Sequence, residues 1–202
     1  MEPRGRGRPR EPDVDERILA TAMRLMARHG YARMSVDAVA HEAGVAKPTI
    51  YLRYPNKAAL ATAALAAYCR TVLPPLTGDT RADLAAGLRH LKDGIEAAYG
   101  MSLLGTLLVE ERDTPDLLAL YREQIVLPLR GLLRATLTRA QARGELAPGA
   151  EIEYLIHALV GSYYARYVAA APIENDWPER TVDALLAGVF VRPPQDRDEG
   201  KM

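Results

Sequence analysis

Residues 35–57 of this chain, SVDAVAHEAGVAKPTIYLRYPNK, have the pattern of two short helices separated by a tight turn. Ser35 is a favourable N-cap, and small apolar residues recur after it at the spacing of one helix face. These residues are Val36, Val39, Ala40 and Ala43. Gly44 follows them, where a left-handed residue ends a helix without a Cβ clash. The pattern predicts one helix that starts after Ser35 and ends before Gly44.

The second predicted helix extends from Lys47 to Tyr54. Pro48 suits its first turn, because a backbone N–H at that position would have no helical partner. Ile50 can face the first helix, and neighbouring segments must hold the second one, since so short a helix is unstable alone. Its other side chains remain available as donors to phosphates and base edges. This arrangement is typical of a helix-turn-helix motif that binds DNA.

A third helix is predicted after Pro55, which ends the second helix. Asn56 can cap the third helix and Lys57 lies in its first turn. A cation at this position opposes the helix dipole. Either an anionic partner such as a DNA phosphate or simple solvation would account for Lys57.

These features together resemble the DNA-binding domain of TetR-type (TetR/AcrR) transcriptional regulators. The resemblance covers roughly residues 16–65 and rests on the Gly-Val turn, the Lys-x-Thr-x-Tyr sequence and the Asn-Lys pair. It implies that Ser35 and Lys57 contact phosphates on the two sides of a major-groove helix. The groove-facing residues that it implies are Lys47, Pro48, Thr49, Tyr51 and Tyr54. We add Arg53 to this set as a further donor.

Two positions depart from the family's pattern, and one of them is Pro55, which stands where a Phe commonly follows Tyr54. Ala46 stands where a Ser or Thr often caps the second helix, and the missing cap should cost about 1 kcal/mol. No groove-facing donor is lost by either change. The alternative interpretation of the whole segment is a three-helix structural subdomain that binds no nucleic acid.

Residues 1–12 form an arginine-rich stretch without apolar periodicity, and we expect a disordered arm there. Its string RGRGRPR, residues 4–10, resembles the AT-hook, in which an extended Arg-Gly-Arg-Pro segment lies in the minor groove of A·T-rich DNA. This resemblance implies that Arg6 and Arg8 bind DNA. A solvated basic tail is the alternative. The stretch is not expected to be a signal peptide, because no apolar segment follows the charges.

Charge is distributed unevenly along the chain. Residues 1–60 hold 11 of the 26 Lys and Arg residues and 7 of the 26 Asp and Glu residues, so the remainder is acidic, with 15 against 19. This asymmetry places the nucleic-acid surface in the N-terminal third. No apolar run approaches the roughly 18 residues that span a membrane. We therefore expect a cytoplasmic protein with no membrane partner.

The sequence carries no pattern of a catalytic, metal or cofactor site. Its four histidines are scattered, and it has no glycine-rich phosphate loop and no nucleophile elbow. The single cysteine, Cys69, excludes an internal disulfide and is expected to be a core or partly exposed thiol. We expect no enzymatic activity and no cofactor.

The remaining sequence predicts an all-α chain of about nine helices. The expected divisions are a helix-turn-helix domain over 13–60, a helical effector-binding and dimerisation domain over 61–192, and a disordered tail over 193–202. Within the second domain, Thr80 with Asp83 should start a helix. Pro128 should kink or break a longer helix, because it removes a hydrogen bond and clashes with the preceding turn.

The family resemblance implies that the last two predicted helices pair with their copies in a second chain as a four-helix bundle. Both carry wide apolar stripes, part of which must also be core. The expected interface residues are Ile152, Leu155, Leu159, Tyr163, Val182, Leu186, Val189 and Phe190. Gly161 and Ser162 could permit close approach of the partner. A dimer would match a palindromic operator.

The resemblance also implies a pocket for a small apolar or amphipathic effector among the C-terminal helices. The expected lining residues are Leu88, Met101, Leu104, Leu108, Tyr121, Ile125, His157 and Tyr164. Ordinary core packing is the alternative for each of them. The resulting hypothesis is a ligand-responsive, sequence-specific repressor that binds DNA as a homodimer. An architectural protein that coats A·T-rich DNA without an effector is the second hypothesis.

Overall fold

The structure, a computed structural model, describes residues 12–69, 72–97 and 99–187, and no β-strand occurs in these ranges. It contains the α-helices α1 (Pro12–His29), α2 (Val36–Ala43), α3 (Lys47–Tyr51), α4 (Lys57–Tyr68), α5 (Thr80–Ala97), α6 (Gly100–Val109), α7 (Pro115–Tyr121), α8 (Leu127–Ala142), α9 (Ile152–Val168) and α10 (Trp177–Leu186). A π-helical segment, Arg122–Val126, joins α7 directly to α8. The described helices therefore form nine separate helical rods, and the all-α prediction is confirmed.

The chain forms two compact units. The first contains the described residues up to 69 together with 95–127, and the second contains 72–94 together with 128–187. Within the first unit, α6 contacts α1 and α7 contacts α4. The predicted division into 13–60 and 61–192 differs from these two units, because it assigns α6 and α7 to the second domain. The sequence does not indicate that α6 packs against α1 and α7 against α4. As a statement about separately folding domains, the division stays a prediction. The predicted tail, 193–202, lies outside the described residues.

The core of the first unit is built around α1 and α4. Ile18 and Met26 of α1 and Leu60 and Leu65 of α4 are fully buried. Cys69, just after α4, is buried too, and desolvation raises the pKa of its thiol to about 11. This thiol is therefore protonated at physiological pH and belongs to the core.

The core of the second unit is formed by α5, α8, α9 and α10. Its fully buried side chains include Leu84, Leu88, Leu133, Leu137 and Ile156. A Cβ atom at position 87 would lie 2.9 Å from Leu133 Cδ2 and 3.2 Å from Leu132 Cδ2. Only glycine at that position lets α5 and α8 approach this closely without displacing leucine side chains.

The helix that contains Pro128 changes its hydrogen-bonding pattern, as the sequence predicted. Proline at 128 has no N–H to offer the carbonyl four residues earlier. The helix accommodates this upstream: the N–H of Leu127 donates to the carbonyl oxygen of Arg122, five residues back. The predicted kink or break is thus a π-helical segment inside a continuous helical run.

Helix α5 begins at the predicted residue, Thr80, but its capping residue is not the predicted one. Asp79 performs this role, since its Oδ1 accepts the N–H of Ala82 at 2.6 Å. Asp83 instead accepts hydrogen bonds from the loop before the helix, from the N–H and hydroxyl of Thr77 and the N–H of Gly78. The Thr80 hydroxyl donates to Glu145. Of the two side chains that suit a capping box, Thr80 thus makes a tertiary contact and Asp83 holds the preceding loop.

Candidate nucleic-acid interface

The turn between α2 and α3 has the geometry that the sequence predicted. Ser35 Oγ accepts the N–H of Ala38 at 3.1 Å and so caps α2. Gly44 ends α2 with φ of 66°, in the left-handed region where glycine avoids a steric penalty. The N–H of Val45 returns to the carbonyl oxygen of Ala40 at 3.0 Å. These bonds fix the direction in which the chain enters α3.

Helix α3 is shorter than predicted, since it ends at Tyr51 rather than Tyr54. The N–H of Tyr54 still donates to the carbonyl oxygen of Ile50 at 2.8 Å. The chain then leaves the helical path, because the residue before a proline disfavours the helical conformation and Pro55 follows. Ala46 precedes α3 without a side-chain cap, and the fully buried Ile50 anchors the helix.

Helix α1 holds both α2 and the end of α3 through ion pairs. Arg24 of α1 pairs with Glu42 of α2 at 2.7 Å. Asp15 of α1 pairs with Arg53 at 2.5 Å. Arg53 also donates to the carbonyl oxygen of Thr49 at 3.0 Å, and its side chain is only 15% exposed. Within the described chain Arg53 is therefore held by Asp15 and Thr49, and its expected role as a donor to DNA stays a prediction.

The exposed surface of α3 and its C-terminal turn carries most of the expected groove residues. Lys47, Pro48 and Tyr51 are exposed and Thr49 is half-buried. Tyr54 is half-buried and packs against the core of the first unit, and its expected place at the groove stays a prediction.

Leu52 is a residue that the sequence reasoning missed. Its side chain is 79% exposed, which is unusual for a leucine beside a buried anchor such as Ile50. The sequence feature that could have indicated an exposed Leu52 is its position one residue after Tyr51, outside the apolar face of α3. An exposed apolar side chain here could contact a thymine methyl group in the major groove.

Lys47 is engaged by a neighbour within the same motif. Its ammonium lies 2.7 Å from a carboxylate oxygen of Asp37 in α2, and both side chains are largely exposed. This hydrogen bond is the main reason that the pKa of Lys47 is raised. The ammonium also lies 6.0 Å from the centre of the Tyr51 ring. Lys47 is therefore positively charged at physiological pH and lies close to a carboxylate.

Lys57 begins α4, and its position has an explanation within the chain. Its ammonium lies 4.2 Å from the centre of the Tyr31 ring and donates to the carbonyl oxygen of Ala32 at 3.2 Å. The N–H of Ala32 in turn donates to Glu110. These partners offset the unfavourable helix dipole without a bound phosphate. The other expected phosphate contact, Ser35, is exposed, and Arg6 and Arg8 lie outside the described residues.

Two family models match this chain. The model "Bacterial regulatory proteins, tetR family" matches residues 18–64, and "Tetracyclin repressor-like, C-terminal domain" matches residues 74–185. The second match alone covers more than half of the chain. The chain belongs to the TetR family.

Relatives of this TetR-family protein match it over nearly its whole length. An uncharacterized HTH-type transcriptional regulator of Mycobacterium tuberculosis is 35% identical, over 95% of this chain and 91% of the relative. A DNA-binding transcriptional repressor TetR of Mycobacteroides abscessus is 32% identical, over 87% of this chain and 93% of the relative. The solved structure of the flavonoid-responsive regulator FrrA shares the fold, with a TM-score of 0.66 and 21% identity, over 91% of this chain and all of that one.

The protein is therefore a DNA-binding transcriptional regulator and not an enzyme. In helix-turn-helix motifs the second helix lies in the major groove, and α3 is the second helix of the motif in this chain. In the described part of the chain, no helix has the length and apolar character that a membrane span requires. The same part of the chain holds no group of three or more His, Cys, Asp or Glu side chains placed to bind a metal ion.

The residues expected to line an effector pocket belong to both units, and the pocket stays a prediction. Leu88 is buried in the second unit, whereas Tyr121 is buried in the first. Leu108 is 52% exposed, and His157 is exposed with its Nε2 atom 3.2 Å from Arg130 Nη2. Leu108 and His157 are therefore corrected from interior to surface positions. The other four residues, Met101, Leu104, Ile125 and Tyr164, are half-buried.

The expected dimer residues are largely internal to one protomer. Leu159, Tyr163, Val182 and Leu186 are buried, and Tyr163 packs edge-on against Trp177 at 5.3 Å. The apolar stripes of α9 and α10 thus mark where these helices pack within the protomer. Ile152 and Leu155 are half-buried, and Val189 and Phe190 lie outside the described residues.

A different face of α9 and α10 is open. It forms a groove of about 410 Å³ between the two helices. Small side chains line part of it, and larger ones complete the lining: the small residues are Ala158, Ser162, Ala165, Thr181 and Ala184, and the larger ones are Arg166, Glu174, Trp177, Arg180 and Leu185. The small side chains leave both helix backbones accessible to close packing.

Proposed function

We propose that this TetR-family regulator is a repressor that binds a palindromic operator as a homodimer and releases it when a small apolar or amphipathic molecule binds. The observation that carries the DNA part is the reading surface of Lys47, Pro48, Thr49 and Tyr51, held on the buried Ile50. Ser35 and Lys57 are proposed to contact phosphates on either side. The named repressor from Mycobacteroides abscessus supports the sign of regulation.

Dimerisation is part of this proposal because one five-residue helix makes few base contacts. Two copies about 34–36 Å apart would read successive major grooves on one side of the DNA. We propose that the partner packs on the small-residue groove of α9 and α10 instead of on the buried stripes. Ala165, which is exposed in this groove, is the position to test.

The interface test uses light scattering coupled to size exclusion. Ala165→Arg should convert the dimer to a monomer and weaken operator binding, because the arginine fills the groove. Ala135→Arg, at an exposed position on α8, is the matched control and should remain dimeric. A dimer that tolerates Ala165→Arg would contradict the proposed interface.

Effector response is proposed from the family's C-terminal domain and from a neighbour of the same fold that is described as flavonoid-responsive. Native mass spectrometry of the purified chain should identify a retained small molecule. Adding that molecule should weaken operator binding at least about tenfold, the lower range of typical allosteric coupling. Operator affinity that does not respond to any retained or added apolar compound would favour an architectural role.

Footprinting separates the repressor from the architectural alternative. We expect protection of one short palindrome at physiological salt, whereas protection that spreads over A·T-rich tracts would support the architectural protein. Arg6 and Arg8 are proposed to enter the minor groove. If they do, deleting residues 1–10 should reduce the slope of log K against log salt by roughly 0.9 for each lost phosphate contact. A cytoplasmic location follows from the proposed DNA target.

A further inference from the structure

A second concave surface lies in the first unit, on the DNA-reading half of the molecule. It is a groove of about 540 Å³ between α1 and α4, which we call the α1–α4 groove. Its lining residues are Glu16, Leu19, Ala20, Met23, Ala64, Ala67, Tyr68 and Tyr99. The volume falls within the range of small-molecule sites, and most of the lining is apolar.

Two tyrosines form the aromatic part of the α1–α4 groove. The ring centres of Tyr68 and Tyr99 lie 5.6 Å apart, and the ring planes are tilted by 55°. Both rings are half-buried, and desolvation is the main reason that the pKa of Tyr68 is raised. Its phenol therefore stays neutral at physiological pH. Neutral tyrosine rings attract cations through their electron-rich faces.

Glu16 supplies the charge in this groove. It is the one ionisable carboxylate among the lining residues, and within the described ranges it forms no ion pair. Its neighbours on α1 differ in this respect, because Asp13 pairs with Arg17 and Asp15 pairs with Arg53. An apolar groove with two tyrosine rings and a carboxylate is complementary in charge to a cation.

We propose that the α1–α4 groove binds a lipophilic organic cation. The side chains of Leu19, Met23 and Ala64 cover the hydrocarbon part of the ligand. Tyr68 and Tyr99 contact its charged centre, and Glu16 neutralises it. Every described lining residue of this site belongs to the first unit.

The same helix connects this site to the DNA-reading helices. Asp15, next to Glu16, holds Arg53, and Arg24 holds Glu42 of α2. A ligand that changes the position of α1 therefore acts on α2 and α3 through ion pairs. By linkage, DNA and the cation must alter each other's affinity by the same factor. Only this coupling rests on the proposed operator binding; the cation site itself does not.

Isothermal titration of the full chain with tetraphenylphosphonium and tetraphenylborate tests the proposal, because these ions have the same shape and opposite charge. The phosphonium should bind at least about tenfold more tightly than the borate. Glu16→Gln should weaken phosphonium binding about fivefold, the value for one charge pair about 4 Å apart in water. The control Glu123→Gln, an exposed carboxylate of the same unit outside the groove, should leave it unchanged.

Two further variants locate the ligand. Tyr99→Leu should remove most of the preference for the cation while keeping apolar binding. Ala67→Trp should fill the groove and abolish binding, with circular dichroism to verify that the helices are retained. Equal affinity for both ions, unweakened phosphonium binding in Glu16→Gln, or phosphonium binding that persists in Ala67→Trp would overturn the proposal. Operator binding measured without either ion reports on the proposed function independently.

Discussion

The ammonium of Lys47 in α3 lies 2.7 Å from a carboxylate oxygen of Asp37 in α2. The two elements of the reading motif are thereby joined by an exposed ion pair at the surface that DNA must approach. A phosphate that binds Lys47 has to replace Asp37 or share the lysine with it. If Lys47 binds DNA as proposed, Asp37 competes with the DNA for it.

Asp37→Asn should therefore strengthen operator binding. The substitution removes a negative charge from the reading surface and releases Lys47, and we expect a gain of about fivefold at low salt that decreases as salt screens the charges. Fluorescence anisotropy at several salt concentrations measures the effect. Asp13→Asn, which breaks an exposed ion pair on α1, is the control. Weaker binding by Asp37→Asn would show that Asp37 supports the interface.

Lys47→Ala and Tyr51→Ala should abolish specific operator binding and leave thermal stability nearly unchanged, because both side chains are exposed. Ile50→Ala, between them, should destabilise the protein by about 2–5 kcal/mol because that side chain is fully buried. Operator binding and thermal unfolding of the three variants provide the comparison. A loss of stability in the first two would place their side chains in the core.

Ala46→Ser should stabilise the first unit by about 1 kcal/mol. The backbone at Ala46 is already extended, with φ of −72° and ψ of 139°, and it lacks a side-chain cap for α3. A serine hydroxyl could accept one of the free N–H groups of that helix. Ala66→Ser, exposed in the interior of α4, should give no gain in urea unfolding. Equal effects at the two positions would argue against capping.

The ion pair between Asp15 and Arg53 should stabilise the folded state of the first unit. A double-mutant cycle with Asp15→Asn and Arg53→Met should give a coupling energy of about 0.5–1 kcal/mol, near the upper end for exposed pairs because both side chains are partly buried. Urea unfolding measures it. If Arg53→Met instead weakened operator binding without changing stability or coupling to Asp15, Arg53 would be a direct DNA contact.

Asp83 should make the stability of the second unit depend on pH. Desolvation alone would raise the pKa of this carboxyl, but hydrogen bonds from Thr77 and Gly78 outweigh it, and the net pKa is lowered. The stabilisation is therefore present above the unfolded pKa, near 3.9, and is lost as pH falls through the lower folded value. Asp83→Asn should cost about 1–3 kcal/mol at pH 7.

The cost of Asp83→Asn should shrink as the pH is lowered below about 4, where the wild-type carboxyl also begins to be protonated. Chemical unfolding at pH 7 and at successively lower pH measures this change. Asp93→Asn, an exposed position on α5, should show no such dependence. A cost that is constant with pH would mean that the hydrogen bonds do not depend on the charge.

The helix ends and the turn of the reading motif were predictable because their causes are local. Ser35, Gly44 and Asn56 act on backbone groups within a few residues, and the structure shows each of them in the predicted role. Pro128 also acted locally, on the carbonyl of the preceding turn. Spacing along the chain is enough for such inferences.

The roles of single side chains on helix faces were less predictable. The ion pair between Arg53 and Asp15 of α1 joins residues that are far apart along the chain, so the sequence does not indicate it. Similarly, the apolar stripes of α9 and α10 predict that these helices are buried, but they do not indicate whether the packing partner is the same protomer or a second one. Tyr163 and Val182 are buried within the protomer, so the open face is the one with small residues.

The sequence by itself determined the helical class, the helix-turn-helix and the family of this regulator, because short-range hydrogen bonding and apolar periodicity are written in consecutive residues. The tertiary structure alone decided that Asp37 pairs with Lys47 and that Asp15 pairs with Arg53. It also decided that Glu16 lines a groove with Tyr68 and Tyr99. The physical reason is that these relationships join residues distant along the chain, whose separation in space depends on how the helices pack.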